Sequence, residues 1–407
     1  MRDVRMTARE SRPVRRLFMG RSWGAEEKTI VTRIFGAARL ILICAVLIAV
    51  ARPSDSISWE IGPFTRPATG NPVIAPDTAA VFADPIRGMP VHWEALHTFN
   101  PAAVVRNGVI DVLYRAEDDT GAMQIGMHTS RLGLAESSDG IHFTRRAAPV
   151  FYPSEDSEES REWPGGVEDP RVVEAEDGTY VLTYTQWNRT TYSVGIATSR
   201  DLEHWIKHGP AFLEADGGKY AHLKYKSAGI VTVLHEGRLV VARIQGNYWM
   251  YWGEGAIHLA RSSDLIHWTP VEGSDGEAVE VLGARPGRFD SSFPETGPPP
   301  VLTDRGIVMI YNGKNAGTGG DPNLSADTYA AGEALFDARN PAKLLARTEN
   351  PVLEPTLPYE KSGQYTAGTT FAEGLVYFQG RWLLYYGCAD SLVAVAAAPN
   401  RFVGHLP

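Results

Sequence analysis

Cysteine is nearly absent from this sequence of 407 residues. The two cysteines are Cys44 and Cys388, and Cys44 lies within an apolar run near the amino terminus. If that run is removed on export, one cysteine remains and the mature chain has no internal disulfide. A chain of this length buries enough apolar surface to be stable without one.

The sequence also lacks an excess of positive charge and an apolar run long enough to cross a bilayer. Lysine and arginine number 39 against 48 acidic residues, a formal net charge of −9, which makes nucleic acid an unsuitable partner. The apolar run extends from Leu40 to Ala51, short of the roughly 20 residues that a membrane span needs. Basic residues precede it, and Ala49–Ala51 has the A-x-A pattern of a cleavage site. We therefore predict that residues 1–51 are a signal peptide, with Met19 as an alternative start.

This prediction places the mature protein in the periplasm or outside the cell. An uncleaved amino-terminal membrane anchor and a buried core segment are the alternative interpretations of the same run.

Signatures of several large enzyme classes are missing as well. The sequence has no zinc-type Cys/His spacing, no Walker loop and no G-x-S-x-G elbow. His92 and His97 lie close together, but without a third ligand nearby we interpret them as ordinary loop residues. We expect neither a metal nor an organic cofactor.

Sustained helical periodicity is lacking too, and a repeated β pattern takes its place. Five times the chain shows an apolar strand, a tight X-Gly turn and a second strand rich in β-branched and aromatic residues. Three copies continue into a further strand that ends in a Ser/Asp turn, at Asp139, Asp201 and Asp264, and Asp337 marks a degenerate copy. The five turns are Asn107-Gly108, Asp177-Gly178, Glu236-Gly237, Arg305-Gly306 and Gln379-Gly380.

Five all-β units of roughly 60–75 residues are typical of a propeller with four-stranded blades. We therefore predict an all-β fold, a five-bladed β-propeller, in one catalytic domain over residues 52–407. Residues 52–95 are expected to form an entry strand and loop, and the segment 392–396 is expected to help close the ring. A β-sandwich is the alternative architecture.

Polar and charged residues recur where the strands of a propeller would meet its central channel. Burying so much charge is costly, and an apolar channel would be the cheaper structural solution. We interpret these residues as a functional site in a central funnel, with a solvated channel of scattered ion pairs as the structural alternative. Aromatic residues nearby, among them Trp187 and the run Tyr248–Trp252, suit stacking on a sugar ring. The channel residues are Asn100, Arg115, Asp169, Arg171, Lys226, Ser227, Arg243, Glu295, Asn312, Glu373 and Asp390.

Together these landmarks resemble glycoside hydrolase family 130, the β-mannoside phosphorylases and β-mannosidases, over nearly all of residues 95–395. The motifs are short individually, but they occur in order and are spread over the repeated units. They are Phe99-Asn-Pro-Ala102, Tyr114-Arg-Ala116, Gly166-Val-Glu-Asp-Pro-Arg171, Asp264-Leu-Ile-His-Trp268, Gly297-Pro-Pro-Pro300 and Tyr385-Tyr-Gly-Cys-Ala-Asp390.

The resemblance implies roles for four of the channel residues. Asp169 matches the general acid, which in this family protonates the glycosidic oxygen through the 3-hydroxyl of the mannose, with inversion. Asn100, Arg115 and Asp390 match positions that hold the mannose. Arg171 belongs to the same motif as Asp169, and we predict it to bind substrate as well.

The phosphate-binding residues of the family are only partly present. Phosphorylases hold phosphate with an Arg-Asn pair, a second Arg, a Lys and a His. Here the pair reads Lys226-Ser227, and Arg243 keeps the second Arg. Phe293 lies near the position of the phosphate-binding Lys of the phosphorylases, and Asn312 replaces their phosphate-binding His. A phosphate dianion needs several convergent donors, so the loss of two cations weakens such a site.

Two carboxylates, Glu254 and Glu295, are predicted to enter the same pocket. Their charge would repel phosphate, whereas a carboxylate can activate water. This resembles the hydrolytic branch of the family, whose members act on β-1,2-mannosides. We therefore predict an inverting glycoside hydrolase acting on β-mannoside oligosaccharides, in which Asp169 is the acid and Glu254 or Glu295 activates water.

Three other functions remain open at this point. The first is a β-mannoside phosphorylase, which would take inorganic phosphate and release mannose 1-phosphate. The second is a propeller glycosidase of another specificity, such as an arabinanase-like enzyme. The third is a sugar-binding propeller without catalytic activity.

Overall fold

The described part of the chain, residues 58–401 of a computed structural model, is built almost entirely of β-strands. Its helical elements are the single α-helical turn Glu159–Glu162 and the 3-10 helices Ala215–Gly218 and Pro358–Glu360. The prediction of an all-β fold is confirmed. The predicted signal peptide and Cys44 lie outside the described residues. Within residues 58–401, no helix has the length and apolar character needed to span a membrane.

The first two units are regular antiparallel meanders, preceded by the small hairpin of β1 (Phe82–Asp84) and β2 (Met89–Val91). In each meander, four strands pair in chain order. The first contains β3 (His97–Arg106), β4 (Val109–Glu117), β5 (Ser130–Ser137) and β6 (Thr144–Arg145). The second contains β7 (Gly166–Glu174), β8 (Tyr180–Trp187), β9 (Tyr192–Ser199) and β10 (Trp205–Pro210).

The third unit departs from this plan. Its strands are β11 (Ala228–Ile230), β12 (Thr232–His235), β13 (Arg238–Val241), β14 (Arg243–Ile244), β15 (Asn247–Trp252), β16 (Ile257–Ser262), β17 (Thr269–Pro270) and β18 (Glu280–Leu282). The turn Glu236-Gly237 joins β12 to β13, but a second turn at Gln245-Gly246 follows only a few residues later. Strand β15, rather than β13, therefore pairs with β11 and returns to the end of the sheet where β11 begins.

The last two units resume the meander. The fourth contains β19 (Phe293–Thr296), β20 (Val301–Thr303), β21 (Gly306–Lys314), β22 (Tyr329–Phe336) and β23 (Leu344–Arg347). The fifth contains β24 (Thr370–Phe378), β25 (Arg381–Cys388) and β26 (Leu392–Pro399). The segment before β1 supplies an outer edge to the fifth unit, because Thr65 bridges Ala397 and Ile74 bridges Val393. All five predicted X-Gly turns join two antiparallel strands.

The repeated Ser/Asp turn has the same hydrogen bonds in three units. The side chain of Asp139 accepts hydrogen bonds from the backbone N–H groups of residues 141 and 142, and its other oxygen contacts the ring of His142. Asp201 and Asp264 repeat each of these contacts. Asp337 keeps only the backbone bonds, which agrees with its degenerate sequence.

Apolar side chains fill the spaces between neighbouring units. Five buried clusters each combine residues from two units, and one of them joins the fifth unit to the first. The closed five-bladed ring stays a prediction. Pairs that share a cluster are Leu134 with Leu182, Val194 with Met250, Tyr251 with Met309, Ile310 with Leu384, and Leu383 with Val112.

Candidate active site

Residues from all five units meet in one cavity of about 330 Å³. Its polar lining includes most of the residues that the sequence predicted. Those present are Asn100, Arg115, Asp169, Lys226, Glu254, Glu295 and Asp390, and Trp187 forms part of the aromatic lining.

Local backbone geometry directs several of these side chains into the cavity. Asn100 and Asp169 lie where the pairing register shifts by a bulge, and both have positive φ, 46° and 48°. A bulged residue leaves the strand ladder and its side chain is re-aimed, and Asn and Asp tolerate positive φ better than most residues. Gly387 makes room for this geometry, since a Cβ there would lie 2.3 Å from Oδ1 of Asn100.

Asp169 is held by two donors. Its Oδ1 accepts hydrogen bonds from Nδ2 of Asn100 at 2.8 Å and from a guanidinium nitrogen of Arg115 at 3.0 Å. Burial alone would raise the pKa of the Asp169 carboxyl, but Arg115 and then Lys226 outweigh it and lower the pKa. In the unliganded site the carboxyl of Asp169 is therefore ionised.

Arg115 binds the acidic residues at this end of the cavity, among them Glu168, which the sequence analysis did not predict. One guanidinium nitrogen donates to Glu168 at 2.8 Å and to Glu117 at 2.7 Å, while Nε donates to Ser130. The guanidinium also lies 4.5 Å from the centroid of the Phe99 ring. Burial raises the pKa of Glu168, and Arg115 only partly offsets this. Glu168 therefore holds a proton more readily than Asp169 does.

A second acidic group lies around Lys226. Its Nζ is 3.6 Å from Glu254 and 3.5 Å from Glu295, and Oγ of Ser227 donates to Glu295 at 2.5 Å. Glu295 is fully buried, whereas about a third of the Glu254 side chain is exposed. Burial raises the pKa of Glu295 to about 7 despite the opposing effect of Lys226.

Several buried polar atoms in the cavity wall have no hydrogen-bond partner among residues 58–401. Buried polar atoms are normally paired, so unpaired atoms on residues that line a cavity are available to a bound ligand or to water. They include acceptors as well as hydroxyls that both donate and accept, a mixture that suits a polyhydroxylated ligand. The atoms are Oδ1 of Asn100, Oγ1 of Thr185, Oε2 of Glu295 and Oγ1 of Thr369.

The aromatic lining differs from the prediction. Of the run Tyr248–Trp252, no residue lines this cavity: Tyr251 is buried and donates to the carbonyl of Pro341, and Trp252 belongs to the core. The rings that do line it come from other strands and loops and gave no repeated signal in the sequence. They are Phe99, Trp187, Tyr192, Tyr329, Tyr365 and Phe371.

Arg171 and Asn312 were predicted to bind substrate, but neither is among the residues that line the cavity. Arg171 is buried and donates to the carbonyls of Asp169, Thr296 and Gly297. It also pairs with Glu373 at 3.0 Å. The amide of Asn312 is fully used by the backbone of Ala372, to which it donates at 3.0 Å and from which it accepts at 2.8 Å. Both side chains join units rather than face a ligand.

Arg243, also predicted to bind substrate, lies outside the cavity. It lies in a separate cleft, stacked 3.9 Å from the centroid of the Tyr248 ring and 3.4 Å from Glu176. The cause is the additional turn in the third unit. The strand that returns to the cavity is β15, and the residue that follows it there is Glu254.

Replacing Arg171 with Met is expected to destabilise the fold by about 3–5 kcal/mol, because it leaves Glu373 and three carbonyl groups buried without their partner. Denaturant unfolding measures the change in the free energy of unfolding. The matched control is Arg200→Met, which breaks the exposed ion pair with Asp177 and should change stability little. Equal effects of the two substitutions would contradict a structural role for Arg171.

Acidic groups from different units, a guanidinium clamp, unpaired polar atoms and aromatic walls are typical of carbohydrate-active enzymes. The family model described as beta-1,4-mannooligosaccharide phosphorylase matches residues 81–404, and the chain belongs to glycoside hydrolase family 130. The resemblance found in the sequence is thereby confirmed.

Relatives of two kinds accompany this match. A 1,2-beta-oligomannan phosphorylase of Thermoanaerobacter sp. (strain X514) is 31% identical over 75% of this chain and 90% of its own. A glycosyl hydrolase of Bacteroides ovatus is 49% identical with a TM-score of 0.83, covering 86% of this chain and 96% of its own. A second structure, from a study of glycoside hydrolases of this family that target beta-1,2 mannosidic linkages in Candida mannan, is 48% identical with a TM-score of 0.83. It covers 86% of this chain and 97% of its own.

Proposed function

We propose that the protein is an inverting hydrolase of β-mannosides, with a preference for β-1,2 linkages. The observation that carries this proposal is the environment of Lys226, which lies between the carboxylates of Glu254 and Glu295. Within the described cavity lining the other cation is Arg115, and its donors are already used by Asp169, Glu168, Glu117 and Ser130. A phosphate dianion would thus meet two carboxylates and few free donors.

A water molecule, unlike a phosphate dianion, is compatible with the position beside Glu254 and Glu295. Oε2 of Glu295 has no partner among the described residues, while its Oε1 is fixed by Ser227 and Lys226. A carboxylate fixed in this way can accept a proton from a water below the anomeric carbon. Glu254, which is more exposed, also forms an ion pair with Lys226 and orients that water. Glu295 is therefore the proposed base, with Glu254 as its partner.

Asp169 is the proposed acid. Asn100, Arg115 and Asp390 hold the terminal mannose beside it, and the 3-hydroxyl of that sugar relays the proton to the glycosidic oxygen. Asp169 is ionised in the unliganded site, so the proton must reach it when substrate binds. Glu168 and Asp390 are the groups that supply it, because burial raises the pKa of both, that of Asp390 to about 6.

Phosphorolysis is the second candidate function. It is favoured by the Thermoanaerobacter relative, a phosphorylase, and by the retained charge of Lys226. The hydrolase is preferred because the Bacteroides ovatus structure at 49% identity is described as a glycosyl hydrolase and the structure at 48% comes from a study of hydrolases in this family. The cavity also holds two carboxylates beside that lysine.

A closed five-bladed propeller is the proposed architecture behind this site. It is supported by the apolar cluster that joins the fifth unit to the first and by the convergence of all five units on one cavity. Export with cleavage after Ala51 also stays a proposal, and sequencing the amino terminus of the mature protein tests it. A mature chain that retains the segment 19–51 in the cytoplasm would contradict export.

The linkage is tested by incubation with β-1,2-mannobiose and β-1,4-mannobiose in phosphate-free buffer. We expect mannose from the β-1,2 disaccharide at a much higher kcat/KM, with the α anomer formed first because the configuration inverts. Preference for the β-1,4 linkage would contradict the specificity, and an initial β anomer would contradict inversion.

The rate should fall as the pH drops through about 7, because the base must be ionised and burial raises the pKa of Glu295 to about 7. Lys226 favours the ionised form, while Glu254 opposes it. In Lys226→Met the acidic limb of the pH–rate profile should therefore move up by about 1 pH unit or more. Lys226→Arg, which keeps the charge, should leave the limb close to its original position. An unchanged limb in Lys226→Met would show that Lys226 does not control the base.

A further inference from the structure

Tyr329 lines the catalytic cavity, and the proposed mechanism gives it no role. It begins strand β22 and pairs with Lys314 of β21, which pairs on its other side with Phe293 of β19. Side chains of directly paired residues share one face of a sheet, as do alternate residues of one strand. The ring of Tyr329 therefore lies on the same face of the fourth unit as Glu295, the proposed base, which is two residues after Phe293.

The neighbours of Tyr329 hold its ring on several sides. Three aromatic rings meet it edge-on, in a geometry that aromatic pairs prefer. They are the rings of Phe293, Tyr365 and Phe371, with centroid distances of 6.1, 5.5 and 5.6 Å. The ammonium of Lys314 lies 5.6 Å from the centroid of the Tyr329 ring, within range of a cation–π contact. Because the ring is fixed in this way, its hydroxyl is fixed as well.

The hydroxyl of Tyr329 has no hydrogen-bond partner within residues 58–401. Its surroundings are charged. Burial raises the pKa of this hydroxyl, the carboxylates of Glu295 and Glu254 raise it further, and Lys226 opposes them. The phenol is therefore protonated at every pH at which the proposed base works, and it is a neutral donor that the described residues leave without an acceptor.

The attacking water of the proposed mechanism requires one such donor. A bound water makes up to four hydrogen bonds, two through its protons and two through its lone pairs. Oε2 of Glu295 takes one proton, Glu254 accepts a hydrogen bond from the other, and one lone pair faces the anomeric carbon. The remaining lone pair accepts from a donor, and the ammonium of Lys226 is already engaged by both carboxylates. The unpaired hydroxyl of Tyr329 meets this requirement.

We propose that Tyr329 is a further catalytic residue, whose hydroxyl donates a hydrogen bond to the attacking water and directs its reactive lone pair at the anomeric carbon. This inference rests on the proposed function, since it takes water to be the nucleophile. One water proton passes to Glu295 as the water oxygen bonds to the anomeric carbon and the bond to the glycosidic oxygen breaks. That oxygen receives a proton from Asp169 through the 3-hydroxyl of the sugar, while Tyr329 keeps its own proton throughout.

The test is Tyr329→Phe, which removes the hydroxyl and keeps the ring with its aromatic contacts. In phosphate-free buffer we expect kcat on β-1,2-mannobiose to fall about tenfold, the usual contribution of one hydrogen bond, while KM changes by less than about twofold. The acidic limb of the pH–rate profile should keep its position, because the charges around Glu295 are unchanged. Steady-state kinetics across the pH range measures these quantities, with kcat referred to the folded fraction seen by circular dichroism.

Three results would overturn this role of Tyr329. The first is an unchanged kcat. The second is a raised KM with unchanged kcat, which would show that the hydroxyl holds the sugar rather than the water. The third is an acidic limb that moves to higher pH, which would show that the hydroxyl donates to Glu295 itself, since loss of a bond to the ionised carboxylate raises its pKa.

Tyr377→Phe is the matched control, because Tyr377 is a partly buried tyrosine outside the cavity lining, packed on Trp382. It should keep kcat, KM and the acidic limb. Failure of the proposed function itself is seen in the unmodified protein, where strict dependence on phosphate would contradict hydrolysis and with it a water held by Tyr329. Phosphate-independent hydrolysis that Tyr329→Phe carries out equally well would overturn only the role of Tyr329.

Discussion

Asp169→Asn is expected to lower kcat on an unactivated β-mannoside by roughly 10²–10⁴-fold, the usual contribution of general acid catalysis. The amide can still accept the hydrogen bonds that Asn100 and Arg115 donate, but it has no acidic proton to deliver. Steady-state kinetics on β-1,2-mannobiose measures the effect. The loss should be smaller on an aryl mannoside, because a good leaving group needs less protonation.

The control for this experiment is Asp177→Asn, a change in an exposed turn carboxylate that is not part of the cavity lining. Its kinetics should match those of the unmodified protein. If Asp169→Asn kept most of its activity on the disaccharide, Asp169 would have no part in the mechanism.

Glu295→Gln is the second substitution with a large expected effect, a fall in kcat of roughly 10²-fold or more. Glutamine keeps the size of the side chain and can still accept the hydrogen bond from Ser227, but it cannot take a proton from water. Glu254→Gln should also lower kcat, and by less, because Glu254 is the more exposed partner in the proposed pair.

The pH dependence of the rate shows which of the two glutamates, Glu295 or Glu254, is the base. If Glu295 is the base, the pH–rate profile of the residual activity of Glu295→Gln lacks the acidic limb near pH 7. Glu254→Gln keeps this limb, but at lower pH, because the negative charge of Glu254 no longer raises the pKa of Glu295. Loss of the limb in Glu254→Gln alone would assign the base to Glu254 instead.

Sequence reasoning succeeded where the repeat was regular. Asn100 and Asp169 occupy equivalent bulges at the start of a first strand, each followed by proline, so the repeated pattern locates both. The same reasoning did not predict the position of Arg243, because the third unit has an additional turn that removes its strand from the cavity. A turn signal at Gln245-Gly246 was present in the sequence and would have revealed the change.

Other residues could not be predicted from the repeat at all. Asn312 occupies the expected position, but its amide bonds to Ala372, and only the packing of neighbouring units determines this. Glu168 points into the cavity because the bulge at Asp169 interrupts the alternation of side chains along β7. Tyr365 and Thr369 enter from the segment before β24, where no repeated pattern marks them.

Product analysis of β-1,2-mannobiose with and without inorganic phosphate distinguishes hydrolysis from phosphorolysis in one experiment. The position of Lys226 between Glu254 and Glu295 predicts that free mannose forms in the absence of phosphate, and that added phosphate neither accelerates the reaction nor changes the product. Strict dependence on phosphate, with mannose 1-phosphate as the product, would contradict the hydrolase and establish a phosphorylase.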